Sequence, residues 1–162
     1  MPDNRLYALL LSIVLMTVVA GIFSILTSPI YAQTSPPSSS PSAGGMKKTT
    51  SGGTLNVVVQ PSPELVGHTD PTSFKVTFLQ KGTDKVQPHI DYDFTITNNG
   101  KQVFQASQLA GQPGKPLHTA EGAVTIPYTF QGSGDYSINV PVYGILFNPI
   151  KPESADFSIK VG

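Results

Sequence analysis

The feature that most constrains the fold is a strict alternation of apolar and polar residues within positions 88–100. A period of two predicts a β-strand that buries one face and leaves the other in water. Asn99-Gly100 closes the run, and this dipeptide is typical of a tight hairpin turn. We therefore expect the chain to turn there and pair back through residues 101–106. The buried face is predicted to carry Ile90, Tyr92, Phe94 and Ile96.

Six further segments show strand signals, and Ser107-to-Gly122 reads as a Gly- and Pro-rich loop between two of them. Seven short strands separated by turn residues predict an all-β fold, a seven-stranded antiparallel immunoglobulin-like sandwich. Pro127 predicts an edge strand or a bulge, and Gly134-Asp135-Tyr136 resembles the start of a tyrosine corner. The six segments are centred on residues 55–59, 74–78, 101–106, 124–130, 136–142 and 155–161.

Residues 1–32 predict a signal peptide or an N-terminal membrane anchor. Positions 6–26 form a run of 21 residues without a charge, long enough for a helix to span a bilayer. Ile30 and Ala32 fit the minus-three and minus-one positions of a cleavage site, so cleavage after Ala32 is one outcome and retention as an anchor is the other. Both outcomes predict an extracytoplasmic location for the remaining chain, either membrane-anchored or secreted.

Composition separates the remaining chain into two parts and excludes several classes of function. Residues 33–53 are rich in Ser, Pro and Gly and predict a disordered, flexible linker, whereas residues 54–162 carry the strand pattern of a β-sandwich domain. The net charge is zero, so no basic surface for nucleic acid is expected. The absence of cysteine excludes disulfides, iron–sulfur clusters and blue-copper sites.

The polar face of the 88–100 strand suggests a metal site. His89, Asp91 and Asp93 alternate on it, and the loop after residue 107 can bring His118 alongside. Two imidazoles with carboxylates suit Cu(II) or Zn(II). The alternative is an ordinary solvated face, which antiparallel sheets usually have, because His-x-Asp-x-Asp is not a specific motif.

The connection between the last two predicted strands is unusually apolar and suggests a second kind of site. If these side chains are exposed, they form a surface for a protein partner. The alternative is that they fold down and close the open end of the sandwich. The residues concerned are Ile145, Leu146, Phe147 and Ile150.

No enzyme motif is present, since the chain lacks a Walker loop, a dinucleotide fingerprint, a nucleophile elbow and a His-Glu-x-x-His sequence. We therefore expect a non-enzymatic, extracytoplasmic, cell-surface module with a structural or interaction role, on an N-terminal membrane segment. The alternative is an extracytoplasmic metal-binding domain for copper or zinc. A hydrolase with an unrecognised site is the third hypothesis.

Four segments of the domain and Ile30-Tyr31-Ala32-Gln33 carry a family resemblance. The chain resembles the small secreted immunoglobulin-like sandwich proteins of ammonia-oxidising archaea and, more distantly, the YtkA-like and copper-resistance sandwiches. The resemblance implies an extracytoplasmic β-sandwich. It departs at Ala120, where such relatives often have a second histidine two residues after the loop histidine. The four segments are His89-to-Phe94, Leu117-to-Thr119, Gly134-to-Tyr136 and Val142-to-Pro152.

Overall fold

The computed structural model describes residues 45–64 and 66–162, so the predicted signal or anchor segment and most of the predicted linker lie outside the described residues. The described part is all-β, with ten strands and one short helix. The strands are β1 (Met46–Thr49), β2 (Leu55–Ser62), β3 (Pro71–Gln80), β4 (Ile90–Tyr92), β5 (Thr95–Asn98), β6 (Lys101–Gln105), β7 (Leu117–Thr119), β8 (Ala123–Thr129), β9 (Gly134–Ile145) and β10 (Asn148–Val161), and the helix is α1 (Ala106–Leu109).

The strands form two antiparallel sheets. The first has the order β1-β2-β3-β8, which places β8 and its Pro127 at an edge, as predicted. The second is built around β9, which pairs with β10 along one side. Along its other side β9 pairs with β5 and then with β4, and these two short strands pair in turn with β6 and β7.

The sheets pack against each other around one core to which both contribute aromatic rings. Phe74 of the first sheet lies 5.5 Å, between ring centroids, from Phe94, which connects β4 and β5 of the second sheet, and Phe78 lies 5.4 Å from Tyr92. In the part of the chain that the structure describes, the buried residues of this core lie between Leu55 and Val161. No helix in the described ranges is long and apolar enough to span a membrane.

The alternating run contributes its whole predicted face to the core but does not form one continuous strand. Ile90, Tyr92, Phe94 and Ile96 are each at most 3 % exposed. The strand pairing is interrupted between Tyr92 and Thr95, because the amide of Phe94 bonds to the side chain of Asp93 at 2.8 Å instead of to a neighbouring strand. The Asn99-Gly100 turn joins β5 to β6, as predicted.

Two strands lie where the sequence predicts none, and each pairs at the margin of a sheet. β1 falls in the predicted linker and pairs with β2, although its residues are mostly exposed. Lysines in an edge strand are compatible with pairing and discourage aggregation, but they produce no apolar alternation. β7 falls in the predicted 107–122 loop, together with α1 just before it, and pairs with β4 over three residues. A strand that short leaves no periodic signal.

Tyr92 gives a titration prediction for the packed core. Burial raises its pKa from 10.0 to about 12, and the negative charge of Asp93 adds to the rise. A folded-state pKa above the unfolded value means that the neutral phenol stabilises the fold fully below pH 10 and that this contribution is lost as the pH rises toward 12. We expect Tyr92→Phe to lose less stability than the wild type across this alkaline window in urea denaturation. An identical alkaline loss in both proteins would contradict the assignment.

Candidate functional site

Strand pairing brings the loop histidine to the polar face of the alternating run. β7 places His118 directly opposite Asp91 of β4, and side chains of such cross-strand pairs are close neighbours. Nδ1 of His118 donates to Oδ1 of Asp91 over 2.8 Å. Nε2 of the same ring lies 3.4 Å from Nδ1 of His89. Asp91, His118 and His89 thus form a continuous row, called here the His–Asp row.

The backbone of His89 is held in an uncommon conformation at the entrance of β4. Its φ is +53°, in the left-handed region that non-glycine residues seldom occupy. The amide of His89 bonds to the carbonyl of Ala120 at 3.2 Å, and its own carbonyl accepts from the amide of Leu146 at 2.7 Å. These bonds on both sides fix the direction in which the imidazole leaves the chain.

Gly144 leaves room for the carboxylate of Asp91, because it has no side chain. The two residues are paired across β4 and β9, and a β-carbon added at position 144 would overlap the Asp91 carboxyl group. A side chain at this position would therefore displace the acceptor that orients His118. The sequence shows only a glycine within an apolar run, so the close approach was not predictable.

The β9–β10 hairpin ends in a two-residue turn that carries two exposed apolar side chains. Leu146 and Phe147 have φ values of +51° and +65°, and a turn with two positive φ values matches the twist of a hairpin. The Phe147 ring lies 4.2 Å from that of His89 and 5.5 Å from that of His118, between centroids. Phe147 is nevertheless 70 % exposed and Leu146 49 % exposed.

The predicted apolar connection therefore divides into two parts. Ile145 and Ile150 are half-buried and pack against the core, which is the covering role considered as the alternative. Leu146 and Phe147 stay in solvent and form, with His89 and His118, what we call the tip surface. The contact of Phe147 with both imidazoles carries no sequence signal, because the hairpin and the two histidines are distant along the chain.

Asp93 is not part of the His–Asp row. Only 3 % of it is exposed, and its carboxylate accepts from four groups of the buried surroundings. Oδ1 accepts from the amides of Phe94 and Ser107 at 2.8 and 3.0 Å, and Oδ2 accepts from Nε2 of Gln105 and Oγ of Ser107 at 2.7 and 2.6 Å. All of these groups belong to the chain itself, so the carboxylate ties the β4–β5 junction to the start of α1.

The third histidine, His68, is exposed and lies apart from the row, with Nδ1 2.8 Å from the carbonyl oxygen of Gly162.

Among residues 45–64 and 66–162, no group of three or more His, Cys, Asp or Glu side chains is arranged to hold a metal ion. Of the four residues predicted as metal ligands, the structure thus brings together His89, Asp91 and His118 and places Asp93 elsewhere.

Comparisons with protein-family models, with curated proteins and with solved structures find no match to this chain.

Proposed function

We propose that the chain is a non-enzymatic, extracytoplasmic interaction module that binds a protein partner through the tip surface. The observation that carries the proposal is the state of Phe147, which is 70 % exposed although its ring is held against two imidazoles. An aromatic ring that is already ordered in the free protein loses little conformational entropy on binding. Aromatic residues of this kind are enriched at protein interfaces.

The position of the tip surface, at the far end of the sandwich from the start of β1, supports this role. The amide of Ser51, just after β1, bonds to the carbonyl of Ser154 at 2.8 Å, and Nζ of Lys48 lies 5.9 Å from the ring centre of Phe157. β1 therefore runs from the C-terminal part of β10 toward its N-terminal part, where the hairpin lies. Met46 is thus at the end of the sandwich opposite Phe147.

We also propose that the two sheets form the immunoglobulin-like sandwich that the sequence predicts and that this sandwich lies outside the cytoplasm. The seven predicted strand segments correspond to β2, β3, β4 with β5, β6, β8, β9 and β10. The Tyr136 hydroxyl donates to the carbonyl of Gly132 at 2.8 Å, four residues upstream, as in the tyrosine corner of immunoglobulin-like sandwiches. We propose that residues 1–32 target this sandwich to the outside of the cytoplasm and either anchor it in the membrane or are removed.

Site-specific photocrosslinking in the native cell envelope tests the interaction role. A photoreactive benzoyl derivative of phenylalanine at position 147 preserves an aromatic ring there, and the same group at Leu109, which is 66 % exposed, is the matched control. We expect a discrete protein adduct from position 147 and none of the same mass from position 109. Equal adducts from both positions, or no adduct from position 147, would argue against a partner at the tip.

A further inference from the structure

We infer that His89 and His118 form a two-histidine site for a divalent transition metal of the zinc or copper type. This inference does not depend on the proposed interaction role. Two ring nitrogens, Nδ1 of His89 and Nε2 of His118, face each other at 3.4 Å. The contact is a long N–H···N hydrogen bond, in which Nδ1 of His89 donates to Nε2 of His118, and a metal ion bound between the two nitrogens takes the place of the shared proton. Two metal–nitrogen bonds of about 2.0–2.1 Å at a tetrahedral angle hold their nitrogens about 3.4 Å apart.

Asp91 selects the form of His118 that a metal requires. Because Nδ1 of His118 carries the proton that it donates to Asp91 over 2.8 Å, the neutral ring presents a lone pair at Nε2. Metal-binding histidines almost always donate their second nitrogen to a carboxylate, carbonyl or water in this way, which fixes the tautomer and increases ligand basicity. The nitrogen of His118 that faces His89 is therefore the one able to bind metal.

The fold holds both imidazoles in place from several directions. The β4–β7 register sets His118 opposite Asp91, and two backbone hydrogen bonds set the position of His89. Phe147 contacts both rings on the hairpin side. The side chain of His118 is still 39 % exposed, so an ion from solvent reaches the pair.

The chain supplies two ligands to this ion. In the described ranges no third His, Cys, Asp or Glu side chain completes the set. Water, or a donor group from another molecule, takes the remaining positions, as in sites that keep open coordination positions. Imidazole nitrogens suit zinc and copper better than magnesium or calcium, which prefer oxygen ligands.

Calorimetric titration of the full chain with zinc chloride and, separately, with copper(II) chloride tests the site. We expect one ion per chain with at least one of the two metals. His89→Ala and His118→Ala should each abolish this binding, and Asp91→Asn should weaken it about 10–100-fold, since the orienting acceptor is lost. His68→Ala is the matched control, and its affinity should equal that of the wild type because His68 bonds elsewhere.

Thermal melts without metal will show whether each variant is folded, so that lost binding is not confused with lost structure. No binding of either metal to the wild type would overturn the inference. Binding that persists in the folded His89→Ala and His118→Ala variants would overturn it as well.

Discussion

Replacing Phe94 by alanine is expected to lower the free energy of unfolding by about 3–5 kcal/mol, the range found for large aromatic side chains deleted from a packed core. Phe94 is fully buried and contacts rings from both sheets, with centroid distances of 5.5 Å to Phe74 and 6.3 Å to Phe104. Its removal leaves a cavity where the two sheets meet. Urea denaturation of the variant and the wild type measures the loss.

Thr95→Ala is the control for this prediction, because Thr95 is the next residue and its side chain is only half-buried. Its hydroxyl makes one long hydrogen bond, 3.5 Å to the carbonyl of Asn139. We expect a cost below about 1 kcal/mol, as for a single weak hydrogen bond. Equal destabilisation by the two substitutions would mean that the faces of the strand are assigned incorrectly.

Asp93→Ala is expected to destabilise the fold by about 2–4 kcal/mol, because buried donors that now bond to a carboxylate would lose their acceptor. The four donor groups lie 2.6–3.0 Å from its oxygens. Among them are the amide and the hydroxyl of Ser107, which is fully buried. Water does not easily replace an acceptor in such a place. Chemical denaturation gives the difference in unfolding free energy.

Asp91→Ala provides the matched comparison, since it removes a carboxylate from the same stretch of chain. Asp91 is partly exposed and bonds to one partner, His118, so its loss should cost less than about 1 kcal/mol of stability. We expect stability to depend on Asp93 and metal affinity to depend on Asp91. The reverse result, a stable Asp93 variant and an unstable Asp91 variant, would contradict the division of roles between them.

The core face of the alternating run could be predicted from the sequence because it follows from local geometry. Side chains of a strand alternate between its two faces, and burial favours apolar residues on one of them. Ile90, Tyr92, Phe94 and Ile96 therefore had to share a face, and all four are buried. The Asn99-Gly100 turn was predictable for the same kind of reason, because few residues adopt its positive φ values without strain.

The candidate site could be predicted only in part. Local spacing places His89, Asp91 and Asp93 on one polar face, but it does not show which of them meets His118. The interruption of the strand after Tyr92 turns the Asp93 carboxylate to Ser107 and Gln105. The meeting of Asp91 with His118 depends on the register of β7 against β4, a pairing of three residues that has no periodic pattern.

The exposure of Phe147 is the feature that the local sequence pattern predicts least well. From the sequence alone, an apolar residue between Ile145 and Ile150 is compatible with burial and with exposure. The positive φ of Phe147 in the hairpin turn directs its ring to His89 and away from the core. Alternation and turn chemistry are properties of neighbouring residues, so they determine the strands and their buried faces. The tip surface and the His–Asp row join residues from distant parts of the chain, and only the packing of β4, β7 and the β9–β10 hairpin brings them together.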